Sequence, residues 1–346
     1  MAFVYQNSRA ALATDVAAGR APDTTLLGQN HLAGLGIDAL VHDPVLTRRG
    51  LPRRFARVAW NARELLAPWE LWRVDAVFTP LATFFPLAAV PRRLPTVVVN
   101  YGLSLTYRRS TAARRRLLAA SLRAASAVVC LGESQSRLLA SQTGVVPRTV
   151  HLGVDERFWS PRPRPEAAEP YVLAVGKDLA RDYATLADAL RGLDAPARLV
   201  AHPRNLAGVR LPANVTAVSS VPWDELRELY AGAGCVVLAQ RREDYPYGSE
   251  SGGLTALLEA WACGRPVVAT DRAIVRDYST ERTAVLVPAE DASALRAAIE
   301  AVLGDPGRAA ALGVAARAQV EREHTTRRFA ERLAPILRAA AAPRAK

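Results

Sequence analysis

The stretch ESGGLTALLEAWACGRPVVATD, from Glu250 to Asp271, decides the reading of this chain. A polar, glycine-containing loop leads into a helix predicted to begin near Leu254. Gly264 then ends the helix, and a buried apolar strand follows. Such a loop aims free backbone N–H groups at an anion. Gly252 and Gly253 allow close approach, and the N–H groups of Gly253, Leu254 and Thr255 are placed for a diphosphate at the positive end of the helix dipole. Glu259, further along the helix, is of the type that accepts from ribose hydroxyls. The alternative is that the glycines serve only the turn.

Outward from this stretch, short apolar runs alternate with helical patterns, the signature of strand-helix-strand units around a parallel sheet. In the first half AFVYQ, IDALVH, AVFTPL, PTVVVN and SAVVCL read as strands. Gly36 reads as a helix terminator before Ile37, and Arg48 to Trp72 reads as an irregular helical insertion. In the second half YVLAVG, ARLVAH, VTAVSSV, CVVLAQ, RPVVAT and TAVLVP read as strands, with helices near 183–192, 223–232 and 254–262 and a helical tail from Ala292. Between the halves, ERFWSPRPRPEAAEP carries four prolines and reads as a linker. The expected organisation is therefore a first domain over 1–155, a linker over 156–170 and a second domain over 171–325. Two such sheets create a cleft, and ligands bind at the carboxyl ends of strands.

At 346 residues the chain has the length of about two domains. It contains no run of about 18 uncharged apolar residues, and MAFVYQNSRA lacks the basic-then-apolar order of a secretory signal, so a cytoplasmic protein is expected. Cys130, Cys235 and Cys263 are far apart in apolar runs and read as small core residues rather than disulfide or zinc partners. No histidine shows metal-ligand spacing. The net charge of +12 is concentrated in residues 1–160, which hold twenty arginines and no lysine against ten acidic residues. Runs such as Arg53-Arg54, Arg108-Arg109 and Arg114-Arg115-Arg116 suit an anionic membrane surface, an anionic acceptor or a solvated face. Nucleic acid is disfavoured, because no recognised motif with base-stacking aromatics accompanies the charge. Trp60, Trp69 and Trp72 suit an interfacial surface or core packing.

YVLAVGKDLARDYATLADAL ends a strand at Gly176 and follows it at once with Lys177 and then Arg181. Cations at that strand end would neutralise a diphosphate leaving group; solvated loop charges are the alternative.

These stretches together resemble the retaining glycosyltransferases of family 4. AVGKDLARDYATL, NVTAVSSVPWDELRELYAGAGCVVL, LLEAWACGRPVVATD, TAVLVPAEDASALRAAI and the connector HLGVDERFWSP match its donor domain in order across about residues 150–330. LLGQNHLAGLGIDALVHD and SAVVCLGESQSRLLASQTGVVPRTVHLGVD resemble its first domain more loosely. The resemblance implies the α/β GT-B fold: two facing Rossmann-like domains with a deep inter-domain cleft, and a C-terminal helix at about 326–342 crossing back to the first domain.

It also implies roles. Lys177 and Arg181 match the basic pair that holds the donor diphosphate, in exchanged order. Gly176, Ser220, Val221, Ser251, Gly252, Gly253, Leu254, Thr255 and Glu259 fall at donor-binding positions, with Ser220 and Val221 toward the base. Ser251 stands where the sugar-facing first acid of E-x7-E belongs, with Glu250 adjacent as its substitute. Asn100-Tyr101-Gly102 replaces the usual His-Gly, so Gly28, Asn100 and Tyr101 mark the acceptor side, and Leu152 replaces the Asn of the connector. The implied reaction moves a sugar from a nucleoside-diphosphate sugar to a hydroxyl acceptor with retention, without cofactor or metal. A non-catalytic sugar-nucleotide binder and a GT-B epimerase or phosphorylase are the rivals.

Overall fold

The computed structural model describes residues 1–5, 7–43, 56–163 and 169–342. By its contacts the chain divides into two units. The first is Met1–Ala18, Asp23–His151 and Thr326–Lys346; the second is Gly19–Pro22 and Leu152–Thr325.

In the first unit six parallel strands stand in the order β2-β1-β3-β4-β5-β6. They are β1 Ala2–Val4, β2 Leu40–His42, β3 Val77–Thr79, β4 Thr96–Asn100, β5 Ala127–Cys130 and β6 Arg148–Thr149. The central strands β1, β3 and β4 are buried along their whole length, which is why they read as unbroken apolar runs rather than alternating ones. Phe3 and Phe78 pack across the β1–β3 pair with ring centroids 4.8 Å apart.

The helix Thr326–Ala341 completes this unit, burying Phe329, Ala330, Leu333 and Leu337 on one stripe. Gly28 makes its close packing possible. It sits at φ +73°, and a Cβ there would come within 2.9 Å of the Ala330 Cβ. Gly36 is left-handed as well, at φ +72°, but it ends a 3-10 turn over Ala33–Leu35 rather than an α-helix, and the strand starts at Leu40. Of the predicted helical insertion, Ala56–Glu70 is an α-helix, while residues 48–55, with Arg53 and Arg54, lie outside the described residues.

In the second unit the strands are β7 Tyr171–Gly176, β8 Ala197–Ala201, β9 Val215–Val218, β10 Ala233–Leu238, β11 Val267–Thr270 and β12 Val285–Val287. Their order is β12-β11-β10-β7-β8-β9, all parallel. The chain builds outward from β7 on one side and then returns to start again at β10, so β7 and β10 flank the topological switch point. Open α/β sheets bind ligands just beyond the strand ends at that place. Aspartates start three of the surrounding helices: Asp182, Asp291 and Asp305 accept from the N–H groups of Thr185, Ala294 and Arg308.

The stretch read as a linker begins inside this unit. Trp159 is fully buried and packs edge-on against Tyr230, and Arg317 donates to the carbonyls of Glu156 and Trp159. Residues 164–168 of that stretch lie outside the described residues. Cys130, Cys235 and Cys263 are free and buried.

Candidate functional site

Beyond the carboxyl end of β7 the chain turns tightly. The Asp178 carboxylate accepts from the N–H of Ala180 at 2.8 Å and the Asp178 carbonyl accepts from the N–H of Arg181 at 3.1 Å. This turn folds the Arg181 guanidinium back over the Cα of Gly176, where Nη2 donates to the Val175 carbonyl at 2.6 Å. Any Cβ at 176 would overlap that guanidinium, so the glycine makes room for a buried cation at the strand end. Nε of Arg181 is buried without a hydrogen-bond partner. Lys177, by contrast, is exposed.

Beyond β10, Gln240 organises the glycine loop. Its backbone N–H donates to Thr270 Oγ1 at 2.8 Å and its side-chain Nε2 donates to the Gly252 carbonyl at 2.7 Å. Gly253, at φ +95°, then rests on the Gln240 amide and caps the helix Leu254–Ala262. The N–H of Leu254 is taken by the Ser251 carbonyl at 3.2 Å, and its side chain is buried. Among the described residues, the N–H groups left without an acceptor at this helix start are those of Gly253, Thr255 and Ala256. Open N–H groups at a helix start are of the kind that can bind an anion.

Five residues into the helix, Glu259 is 6 % exposed and accepts from the Tyr230 hydroxyl at 3.0 Å. Burial pushes the Glu259 carboxyl up to about 7, against the Tyr230 hydrogen bond and the Arg181 charge, which pull it down. Burial, and then Glu259 itself, hold the Tyr230 phenol well above its ordinary range, so it stays a neutral donor.

These parts line one cavity of about 410 Å³ within the second unit. Of the sequence-predicted residues, Gly176, Lys177, Arg181, Ser220, Val221, Gly253, Thr255 and Glu259 meet there. Glu250, Ser251, Gly252 and Leu254 do not line it: Gly252 packs on Asp178, and Leu254 serves the core. The cavity adds Asp178, Trp223 and Ala256, which the sequence reading missed. Trp223, two residues after Val221, is 37 % exposed and is backed by Trp159 at 6.1 Å between ring centroids. An aromatic beside the residues read as base contacts was the available signal. Among the described residues, no group of three or more His, Cys, Asp or Glu side chains is placed to hold a metal ion.

The three predicted acceptor-side positions lie in the first unit. Gly28 is accounted for by its contact with Ala330. Asn100 is fully buried; its Oδ1 accepts from the N–H of Leu103 at 2.8 Å, and its Nδ2 donates to Cys130 Sγ at 3.4 Å. Its side chain thus accepts from the first N–H of the helix Leu103–Arg108. Burial raises the Tyr101 phenol above its ordinary range, with Arg9 opposing.

Residues 205–319 match "Glycosyl transferases group 1" and residues 12–158 match "Glycosyltransferase Family 4". A GDP-mannose-dependent monoacylated alpha-(1-6)-phosphatidylinositol monomannoside mannosyltransferase of Corynebacterium glutamicum is 32 % identical over 124 residues, covering 36 % of this chain. The match spans about a third of that relative, 32 % of its length. Among solved structures, Anabaena HepE in complex with UDP and glucose superposes with a TM-score of 0.72 at 14 % identity, covering 97 % of this chain and 99 % of that one. Sucrose-phosphate synthase of Thermosynechococcus elongatus gives 0.74 at 18 % identity, covering 97 % and 98 %. At these identities the likeness is one of fold, and the fold is GT-B.

Proposed function

This chain belongs to the group 1 glycosyltransferases of family 4, and on that premise we propose that it moves a sugar from a nucleoside-diphosphate sugar to a hydroxyl acceptor with retention of configuration. The observation that supports this reading best is the cavity at the β7–β10 switch point. There two cations, Lys177 and Arg181, converge with the open N–H groups of Gly253 and Thr255 and with the Glu259 carboxylate. Together they offer a counter-charge for a diphosphate and an acceptor for ribose hydroxyls.

In this mechanism the sugar–phosphate bond breaks as negative charge grows on the departing diphosphate, and Lys177, Arg181 and the helix N-terminus stabilise that charge. The acceptor hydroxyl attacks the anomeric carbon from the face the diphosphate leaves, and its proton passes to the leaving diphosphate. The protein supplies orientation and electrostatics, with no covalent intermediate on a side chain and no metal or cofactor. A thermal-shift screen against UDP-, GDP-, ADP- and dTDP-sugars tests the donor site, since a ligand at 100 times its Kd adds about 2.7 kcal/mol of apparent stability. Release of free nucleoside diphosphate that depends on a hydroxyl acceptor supports transfer. Donor binding without turnover across an acceptor panel supports the rival non-catalytic binder.

A second element of the proposal is a cytoplasmic enzyme that rests on the inner face of an anionic membrane. It is favoured by one surface of the first unit, where Trp69 and Trp72 are 55 % and 64 % exposed beside exposed Leu65, Leu66 and Val90. Arg92 lies over the Trp69 ring at 5.3 Å and Arg73 over the Trp72 ring at 4.0 Å. Amphipathic rings bracketed by arginines suit an anionic headgroup layer. The side chain of Trp60 lies outside the described residues. Among the described residues no helix is long and apolar enough to cross a membrane. Co-sedimentation with anionic vesicles in excess of neutral ones is the expected result, and equal sedimentation overturns it.

A further inference from the structure

One buried charge, outside the residues that line the cavity, is unused by this reading. Arg272 follows β11 and stands at the start of the short helix Ala273–Arg276. It is 7 % exposed, and both Nε and Nη1 are buried without a hydrogen-bond partner. Among the described residues it forms no ion pair, whereas neighbouring Asp271 is paired with Arg276. Glu243, Asp178 and Glu250 act on it electrostatically, but the Glu243 carboxylate accepts from the Ala273 N–H at 2.5 Å and that of Asp178 from the Ala180 N–H. Burial consequently pulls the guanidinium below its ordinary range, with those carboxylates opposing. A buried guanidinium with two nitrogens that lack an acceptor is costly to the empty protein, and such departures concentrate where a ligand supplies the missing acceptor.

The sheet order says which part of a ligand that is. The strands run β9-β8-β7-β10-β11, and the cavity walls follow the same line: Ser219–Val221 after β9, Gly176–Arg181 after β7, Gly253 and Thr255 after β10. A donor with its base at the β9 end and its diphosphate between β7 and β10 carries its sugar toward the carboxyl end of β11. That is where Arg272 stands, within electrostatic reach of both Arg181 and Glu250. The Thr270–Gln240–Gly252 hydrogen bonds fix this strand end to the glycine loop.

We propose that Arg272 reads the transferred sugar, its guanidinium donating to sugar hydroxyl oxygens beside Glu250. The assignment rests on the donor reading above. The planar fork of donors suits adjacent hydroxyls of a pyranose, which accept without bringing a further negative charge among the three carboxylates.

Calorimetric titration of wild type, Arg272→Met and Arg272→Lys with UDP, GDP, UDP-glucose and GDP-mannose tests it. For the sugar nucleotide that wild type prefers, Arg272→Met is expected to weaken binding about tenfold or more, the loss of a charged hydrogen bond. Binding of the bare diphosphate is expected to stay unchanged, and the melting temperature of the empty protein to rise as an unpaired charge leaves the interior. Arg272→Lys keeps the charge without the fork and is expected to lose sugar-nucleotide affinity too, which keeps the test open if the methionine variant folds poorly. Equal weakening of sugar nucleotide and bare diphosphate would assign Arg272 to the phosphates and overturn the proposal. Unchanged affinities with a lowered melting temperature would make it structural and overturn it as well. Failure of wild type to bind any UDP-, GDP-, ADP- or dTDP-sugar overturns the donor reading itself, a result seen before any variant is made.

Discussion

The Tyr230 hydroxyl donates to Glu259 Oε2 at 3.0 Å, joining the helices Trp223–Gly232 and Leu254–Ala262 beneath the cavity. The phenol is fully buried and the carboxylate nearly so. The pair therefore fixes the orientation of the acid, and the Tyr230 hydrogen bond opposes the rise that burial gives its carboxyl.

The first prediction is a pH dependence. Burial raises the Glu259 carboxyl from 4.5 to about 7, so between those values the folded chain holds a proton that the unfolded chain releases. Stability from this group is thus fully present below about pH 4.5 and is lost as pH rises through 7, a change of about 3 kcal/mol at most. Donor binding runs the other way, because the ionised form accepts ribose hydroxyls more strongly, and affinity should fall as pH drops below 7. Glu259→Gln should flatten both dependences. Melting curves and titrations at pH 5.5 and 8 check this, and parallel profiles for the two proteins would contradict it.

The second prediction concerns Tyr230→Phe. Removing the hydroxyl leaves the buried carboxylate short of a donor, which costs about 1–3 kcal/mol at pH 8, where the acid is ionised. The deficit should shrink at pH 5.5, where Glu259 is protonated in both proteins. The pH midpoint for donor binding should also move upward, since a hydrogen bond favouring the charged form is gone. Urea denaturation at the two pH values separates this from a simple packing defect, which would be equal at both.

A third prediction follows from the overlap between Gly176 and Arg181. Gly176→Ala places a methyl where the guanidinium lies, so it should weaken diphosphate binding as Arg181→Ala does, by about tenfold. Because both changes remove the same cation from its place, the double variant should be no weaker than either single one. Additive losses in a double-mutant cycle measured by calorimetry would break the link.

Much of this arrangement was legible in the sequence, and the rest failed for local reasons. The runs Tyr171–Ala174 and Val267–Thr270 are buried residue after residue and announce themselves as apolar stretches that each follow a proline. Strand Arg148–Thr149 is two residues long, and Ala33–Leu35 is a single 3-10 turn; neither is long enough to show a period. Glu259 was visible from its place on the helix, but its partner Tyr230 is 29 residues away and no spacing announces a tertiary contact. The hydrogen bond from the Leu103 N–H to Asn100 was not legible, because a polar residue after a strand reads alike whether it meets a ligand or starts the next helix.

The last prediction concerns the helix Thr326–Ala341 and the glycine that admits it. Gly28→Ala combines a strained backbone at φ +73° with a Cβ less than a normal contact distance from Ala330, and it should destabilise the protein by about 2–4 kcal/mol. The two components are separable. Ala330→Gly removes the closest of the steric contacts, leaving those to the Ala330 backbone N and Cα at 3.1 and 3.2 Å and the backbone strain, and alone it costs about 1 kcal/mol as a glycine inside a helix. The double variant should then be more stable than the sum of the two losses predicts, with a coupling of about 1 kcal/mol or more between residues in direct contact. Chemical denaturation of the four proteins measures that coupling. A sum without coupling would mean that the helix stands clear of Gly28, and that only the backbone conformation demands the glycine.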